Sequence, residues 1–132
     1  MQSHLLVLAV ILAQPAKPGE TLEGHWRNPS GSVIIIIESC GGTLCGKVES
    51  ASERAMVDAR KGGTDPLVGA ELLRDIVPRG EGRWRARLFV PDLNKTSKVE
   101  LRLLGLDQLT VTGCFVGRVV CKSQVWRRAE AQ

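Results

Sequence analysis

From Leu22 onward, apolar residues recur at every second position or in short unbroken runs, and Gly, Pro, Asn and Asp punctuate them at close intervals. That is the pattern of short β-strands joined by tight turns. Leu22 to Asn28 reads as a first strand, closed by the turn sequence Asn28-Pro29-Ser30-Gly31. Ser32 to Ser39 (SVIIIIES) is the strongest strand signal, β-branched and apolar on both faces. Gly41-Gly42 turns the chain into Leu44 to Ser50. Ala70 to Val77 is the next strand, followed by a tight turn at Gly80 to Gly82. Arg83 to Val90 alternates, with Trp84, Ala86 and Leu88 on one face and Arg83, Arg85 and Arg87 on the other. Lys98 to Leu103 alternates again, placing Val99, Leu101 and Leu103 inward. Leu109 to Val116 and Val119 to Arg128 complete the set. Ala51 to Lys61 breaks the alternation: its alanines and Met56, Ser50 and Glu53 at capping-box spacing, and Gly62-Gly63 beyond predict one short helix.

About eight evenly spaced strands with short connections predict an all-β fold, an antiparallel up-and-down barrel. A β-sandwich is the main alternative. An eight-stranded barrel encloses a space that packed side chains fill or that holds one small ligand. The length of 132 residues, with 43% apolar and 24% charged residues, suits a single domain with its own core. Tyr is absent, so that core is expected to be mainly aliphatic.

Leu5 to Ala13 (LLVLAVILA) is too short to cross a bilayer as a helix and has the length of a secretory signal core. Pro15, Pro18 and Gly19 end it, and only His4 supplies a polar titratable group before it. Residues 1–19 are therefore expected to be a signal peptide and short linker, and 20–132 one barrel domain. No other segment is apolar enough to be transmembrane. Export places the four cysteines in an oxidising compartment, where an even count favours disulfides.

The last hairpin allows a register to be counted. With Gly117-Arg118 at the centre of a type II′ turn, Phe115 faces Val120 and Cys114 faces Cys121. The same register puts Leu109, Val111, Gly113 and Phe115 opposite Trp126, Gln124, Lys122 and Val120 on the inner face. Thr110, Thr112 and Cys114 face outward. Counted this way, Cys114 and Cys121 form a wide, hydrogen-bonded pair. Cys40 and Cys45 flank Gly41-Gly42-Thr43-Leu44 and suit a second local bridge. Neither spacing resembles a zinc knuckle, so no metal is expected.

Chemistry is sparse. Once residues 1–19 leave, His25 is the remaining His, with no nucleophile elbow and no second His to complete a triad. No enzyme activity or cofactor is expected. The net charge of +4 is scattered, without a long basic run. Trp84 alternates away from Arg83, Arg85 and Arg87, so the stacking platform that single-stranded nucleic acid needs does not assemble. Lys122 and Gln124 fall among apolar inner residues, where polar groups need partners. With Trp84, Val111 and Phe115 they are the candidate ligand-binding residues. The predicted role is to bind a small, partly apolar ligand. A filled barrel acting as a non-catalytic envelope interaction or structural protein is the alternative. A hydrolase is more distant and would need a cleft where His25 meets a carboxylate and a nucleophile.

Several short motifs occur in a characteristic order: Gly24-His25-Trp26-Arg27-Asn28-Pro29, Cys40-Gly41-Gly42-Thr43-Leu44-Cys45-Gly46, Leu67-Val68-Gly69, Leu109-Thr110-Val111-Thr112-Gly113-Cys114 and Gln124-Val125-Trp126-Arg127-Arg128. Together they resemble the uncharacterised exported bacterial family catalogued as domain of unknown function twenty-one forty-seven. The resemblance implies a lipocalin-like or streptavidin-like barrel, periplasmic or secreted in a Gram-negative bacterium, and implies no activity. Lipocalins also open with G-x-W and pack an Arg of the last strand over that Trp. The parallel implies that Trp26 with Arg127 or Arg128 forms a structural plug at the closed end. The helix-like Ala51 to Lys61 segment and the lack of a Tyr near Asn94 depart from many relatives.

Thiol alkylation of the protein purified without reductant, read by mass, is expected to label no cysteine. Four labelled thiols would refute the bridges.

Overall fold

The computed structural model describes residues 21–115 and 120–130. The expected signal peptide over 1–19 and the Gly117-Arg118 turn lie outside the described residues. The elements are eight strands, β1 (Gly24–Arg27), β2 (Val33–Ser39), β3 (Leu44–Ala51), β4 (Glu71–Gly80), β5 (Arg83–Val90), β6 (Lys95–Leu104), β7 (Gln108–Phe115) and β8 (Val120–Ala129), and one helix, α1 (Glu53–Lys61), between β3 and β4. Each strand pairs antiparallel with the next, and β8 returns to β1, closing the barrel. Closure excludes the sandwich and leaves no strand edge exposed.

Two strands run further than their alternation suggests. Gly80 still pairs with Arg83 at the end of β4, and Lys95 pairs with Val90 at the start of β6. The helix starts later than the sequence suggests. Ser50 and Ala51 stay in β3, opposite Ile34 and Val33, because the ladder already satisfies their backbone groups. Ser52 is the N-cap instead, its hydroxyl accepting from the Ala55 N–H at 3.1 Å. Glu53 in the first turn and Arg60 and Lys61 in the last complement the helix dipole.

The inner faces carry the core. Ile35, Ile37, Leu73, Ile76, Leu101 and Leu109 are almost wholly buried, and Trp26 is fully so. Arg83, Arg85 and Arg87 face solvent while Ala86 between them is buried, as the alternation predicts. β4 is interrupted between Arg74 and Val77, where Asp75 adopts a left-handed conformation (φ 51°) that Asp tolerates better than most residues.

Both disulfides form. Cys40 and Cys45 close the β2–β3 turn with Cα atoms 5.8 Å apart. Cys114 and Cys121 are direct ladder partners, as Phe115 and Val120 are. Their Cα atoms lie 4.0 Å apart, which belongs to the narrow type of antiparallel pair and corrects the wide pair that counting from a two-residue turn predicts.

Successive turns alternate between the two ends. The Cys40–Cys45 turn, Glu81-Gly82 and Gly105–Asp107 lie at one end, with the segment that enters β1. Asn28–Ser32, α1 and Pro91–Asn94 lie at the other. The first end is sealed. The Trp26 indole N–H donates to the Leu22 carbonyl at 2.9 Å, and Leu22 is itself buried. The Arg128 guanidinium lies 4.2 Å from the centroid of the Trp26 ring. It donates to three backbone carbonyls, Leu106 (2.8 Å), Glu23 (3.0 Å) and Thr21 (2.9 Å). Burial holds its pKa below the ordinary value, partly opposed by the Asp107 carboxylate. Arg127 is exposed. Gly24 is needed twice here: its φ is +126°, and a Cβ would come within 2.9 Å of the Arg128 Nη1.

Arg128→Ala is expected to destabilise the barrel by about 2 to 4 kcal/mol, because it removes a cation–π contact and charge-assisted hydrogen bonds to three carbonyls. Arg127→Ala is expected to change stability by less than about 0.5 kcal/mol. Denaturant titration of the two variants checks this, and equal losses would contradict the assignment.

A candidate binding cavity at the open mouth

At the open end the barrel is not filled to its rim. A cavity of about 520 Å³ opens there to solvent, within the size range of small-molecule sites. Its floor is apolar and buried: Val33 from β2, Leu67, Leu72 from β4 and Trp126 from β8. Leu88, Phe89 and Val90 form one wall. The rim is polar, with Asn28, Ser30 and Ser32 from the β1–β2 turn, Asp92 from the β5–β6 turn, and Gln124.

The opposite wall is α1. Arg54, Ala55, Asp58 and Ala59 line the cavity, and their i, i+1, i+4, i+5 spacing places them on one helix face. Ala55 and Ala59 let the helix approach closely, while Arg54 and Asp58 pair along the rim (3.6 Å). The helix is held at its far end. The Thr64 hydroxyl donates to the Pro91 carbonyl at 3.1 Å. Gly62 packs so tightly on the Asp92 backbone that a Cβ would overlap it. On the β1–β2 side, the Asn28 side chain accepts from the Val33 N–H (3.0 Å) and donates to the Ser32 hydroxyl (3.0 Å). Trp126 donates its indole N–H to Gln124 Oε1 at 3.2 Å, so its one polar atom is satisfied at the cavity wall.

The structure divides the sequence-selected residues. Gln124 lines the cavity. Trp84 and Val111 do not: Val111 is buried in the core, and Trp84 is half-buried against it. Lys122 is exposed and does not line the mouth. The side chain of Phe115 lies outside the described residues. Trp26 and Arg128 sit at the sealed end, away from the cavity. Alternation found the inner face, yet it could not say how far along the barrel packing stops. Arg54, Asp58 and Asp92 were missed because a helix and a turn from distant parts of the chain bring them to the mouth. Trp126 carried a usable signal, an aromatic two positions from Gln124 on the inner face.

His25 meets a carboxylate, but not in a cleft. Its Nε2 lies 2.8 Å from Glu49 Oε2 on the outer wall, where Glu49 occupies a bulge in β3. Neither residue lines the mouth cavity, so His25 and its carboxylate stand apart from the candidate site.

Comparison with known proteins places this barrel. The chain belongs to the bacterial family described as an uncharacterized protein conserved in bacteria, DUF2147, whose model matches residues 24–128. A comparison with curated protein sequences found no match. Among solved structures, protein HP1028 from the human pathogen Helicobacter pylori, described as belonging to the lipocalin family, superposes with a TM-score of 0.61. The match covers 83% of this chain and 84% of that one at 14% sequence identity, so it shows a shared lipocalin-like fold.

Gly62 has an ordinary helical φ of −82°, so Gly62→Ala would favour the helix were space available. The overlap with the Asp92 backbone predicts instead a loss of about 1 to 3 kcal/mol, read by denaturant titration. A stability gain would show that α1 is not clamped to the β5–β6 turn.

Proposed function

We propose that this family member is an exported, non-catalytic barrel that binds a small amphipathic molecule in its open mouth. The observation that carries the reading is the cavity itself: a buried apolar floor of Val33, Leu67, Leu72 and Trp126 beneath a polar rim. Such a site favours a ligand with an apolar body and a polar end, because the floor gains from losing water while the rim keeps its polar groups solvated. The lipocalin-like fold supports the same reading, since its mouth is where small barrels admit ligands. Two disulfides support an oxidising compartment, in keeping with the signal peptide expected over residues 1–19.

The sealed half of the barrel is filled by Ile35, Leu101, Leu109 and Trp26, each with essentially no exposure. A ligand therefore has only the upper part of the interior, which sets a modest size limit. This distinguishes the protein from a barrel hollow through its length.

Native mass spectrometry of protein purified from its own host is expected to show a co-purifying small molecule. Fluorescence titration with the probe 1-anilinonaphthalene-8-sulfonate should give saturable binding that weakens at least about tenfold in Trp126→Ala and in Ala55→Leu, which shrinks the mouth from the helix side. A probe response unchanged in both variants, with no co-purifying molecule, would leave the filled envelope barrel as the better reading.

A further inference from the structure

Basic residues of β4, β5 and β6 that look scattered along the chain are brought together by the barrel on one outer wall. Arg83 pairs directly with Arg102, Arg87 with Lys98, and Arg74 with Arg87. All are exposed. Like charges directly opposite on a sheet face repel and cost stability. Nothing in the packing of the barrel requires them there, because this face meets solvent.

A cleft of about 680 Å³ lies within the array, lined among others by Arg79, Arg83, Arg85 and Lys98, with Glu100 as its single carboxylate. Among the described residues, none of these four cations has an ion-pair or side-chain hydrogen-bond partner. Elsewhere on this wall, Arg87 approaches Asp75 at 4.0 Å and Arg74 lies over the Phe89 ring at 5.3 Å. The cleft is thus the place where positive charge is concentrated and left unsatisfied.

We infer that this outer cleft binds a multiply charged phosphate-type oxyanion, separately from the ligand cavity at the mouth. Guanidinium groups present paired N–H donors that match phosphate oxygens, and several of them around a concave site suit an anion carrying more than one charge. Glu100 lies opposite Arg85 in the ladder and Thr112 opposite Glu100, so one carboxylate stands against four cations around the cleft. One aromatic residue, Trp84, also borders the cleft, but it alternates to the inner face and is half-buried against the core. The four cations outnumber the one half-buried ring, so charge and oxygen geometry select the occupant. The anion can be a soluble phosphate ester or the headgroup of an anionic lipid, and the two are separated by the test.

The test uses the full chain at low salt, with inorganic pyrophosphate in titration calorimetry and phosphatidylglycerol-containing vesicles in co-sedimentation. Pyrophosphate binding is expected, weakened at least about tenfold in Arg83→Gln/Arg85→Gln/Lys98→Gln and strongly reduced by added salt. The control Lys47→Gln/Arg60→Gln/Lys61→Gln loses the same number of charges elsewhere and is expected to bind as the wild type does. Binding to vesicles alone, lost in the same cleft variant, would assign the site to a lipid headgroup. The cleft variant should melt close to the wild type, since relief of the Arg83–Arg102 and Arg87–Lys98 oppositions offsets loss of the Arg85–Glu100 pair. In the wild type, pyrophosphate should shift backbone resonances of β5 and β6. No binding to either probe, equal weakening in the control variant, acetate binding as tightly as pyrophosphate, or shifts confined to other strands would each overturn the inference.

Discussion

Closure of the barrel depends on its shortest strand. β1 has four residues, yet it must pair with β2 on one side and β8 on the other. So short a strand is held weakly by ladder hydrogen bonds alone. Trp26 and Arg128 supply the rest. The ring fills the end of the interior, and the guanidinium lies over it while tying together carbonyls from the chain entering β1 and from the β6–β7 turn. An Arg is required because one planar group must stack on a ring and donate in several directions at once. The neighbouring Gly24 leaves the space that this contact occupies.

Sealing one end in this way makes the barrel asymmetric. The aliphatic core fills the sealed half to close packing, while the opposite half ends in longer connections. The β3–β4 connection is the longest of these and contains α1. Its alanines allow the helix to lie close over the mouth, and Gly62 and Thr64 fix it to the β5–β6 turn. The cavity is therefore the space left between a core that stops short of the rim and a helix held above it. Its chemistry follows from the same division, with apolar residues below and turn and helix residues above.

The outer wall follows a different rule. The strands need only an inward apolar residue at alternate positions, so the outward positions are free of packing constraints. Antiparallel pairing then brings Arg83, Arg85 and Arg87 beside Lys98 and Arg102, residues that are separated in sequence by the β5–β6 turn. A modest overall charge thus becomes a concentrated local one.

The sequence by itself determined the strands, their inward faces and the Cys114–Cys121 pairing, because these depend on alternation and on counting across a short hairpin. The composition also limited the catalytic options, with His25 as the one described His. Arg127 and Arg128 were both candidates to cover Trp26; the alternation that turns Trp126 inward already favours Arg128, and the β8–β1 pairing sets it opposite Trp26. Where the core ends, and so whether Val111 and Lys122 or Trp126 and Gln124 line the mouth cavity, was decided by tertiary structure. The placement of α1 helps to set that boundary, and it arises from contacts with the β5–β6 turn far away in the chain. The gathering of cations on one wall belongs to the same class: alternation gives each residue its face, but pairing across strands gives it its neighbours.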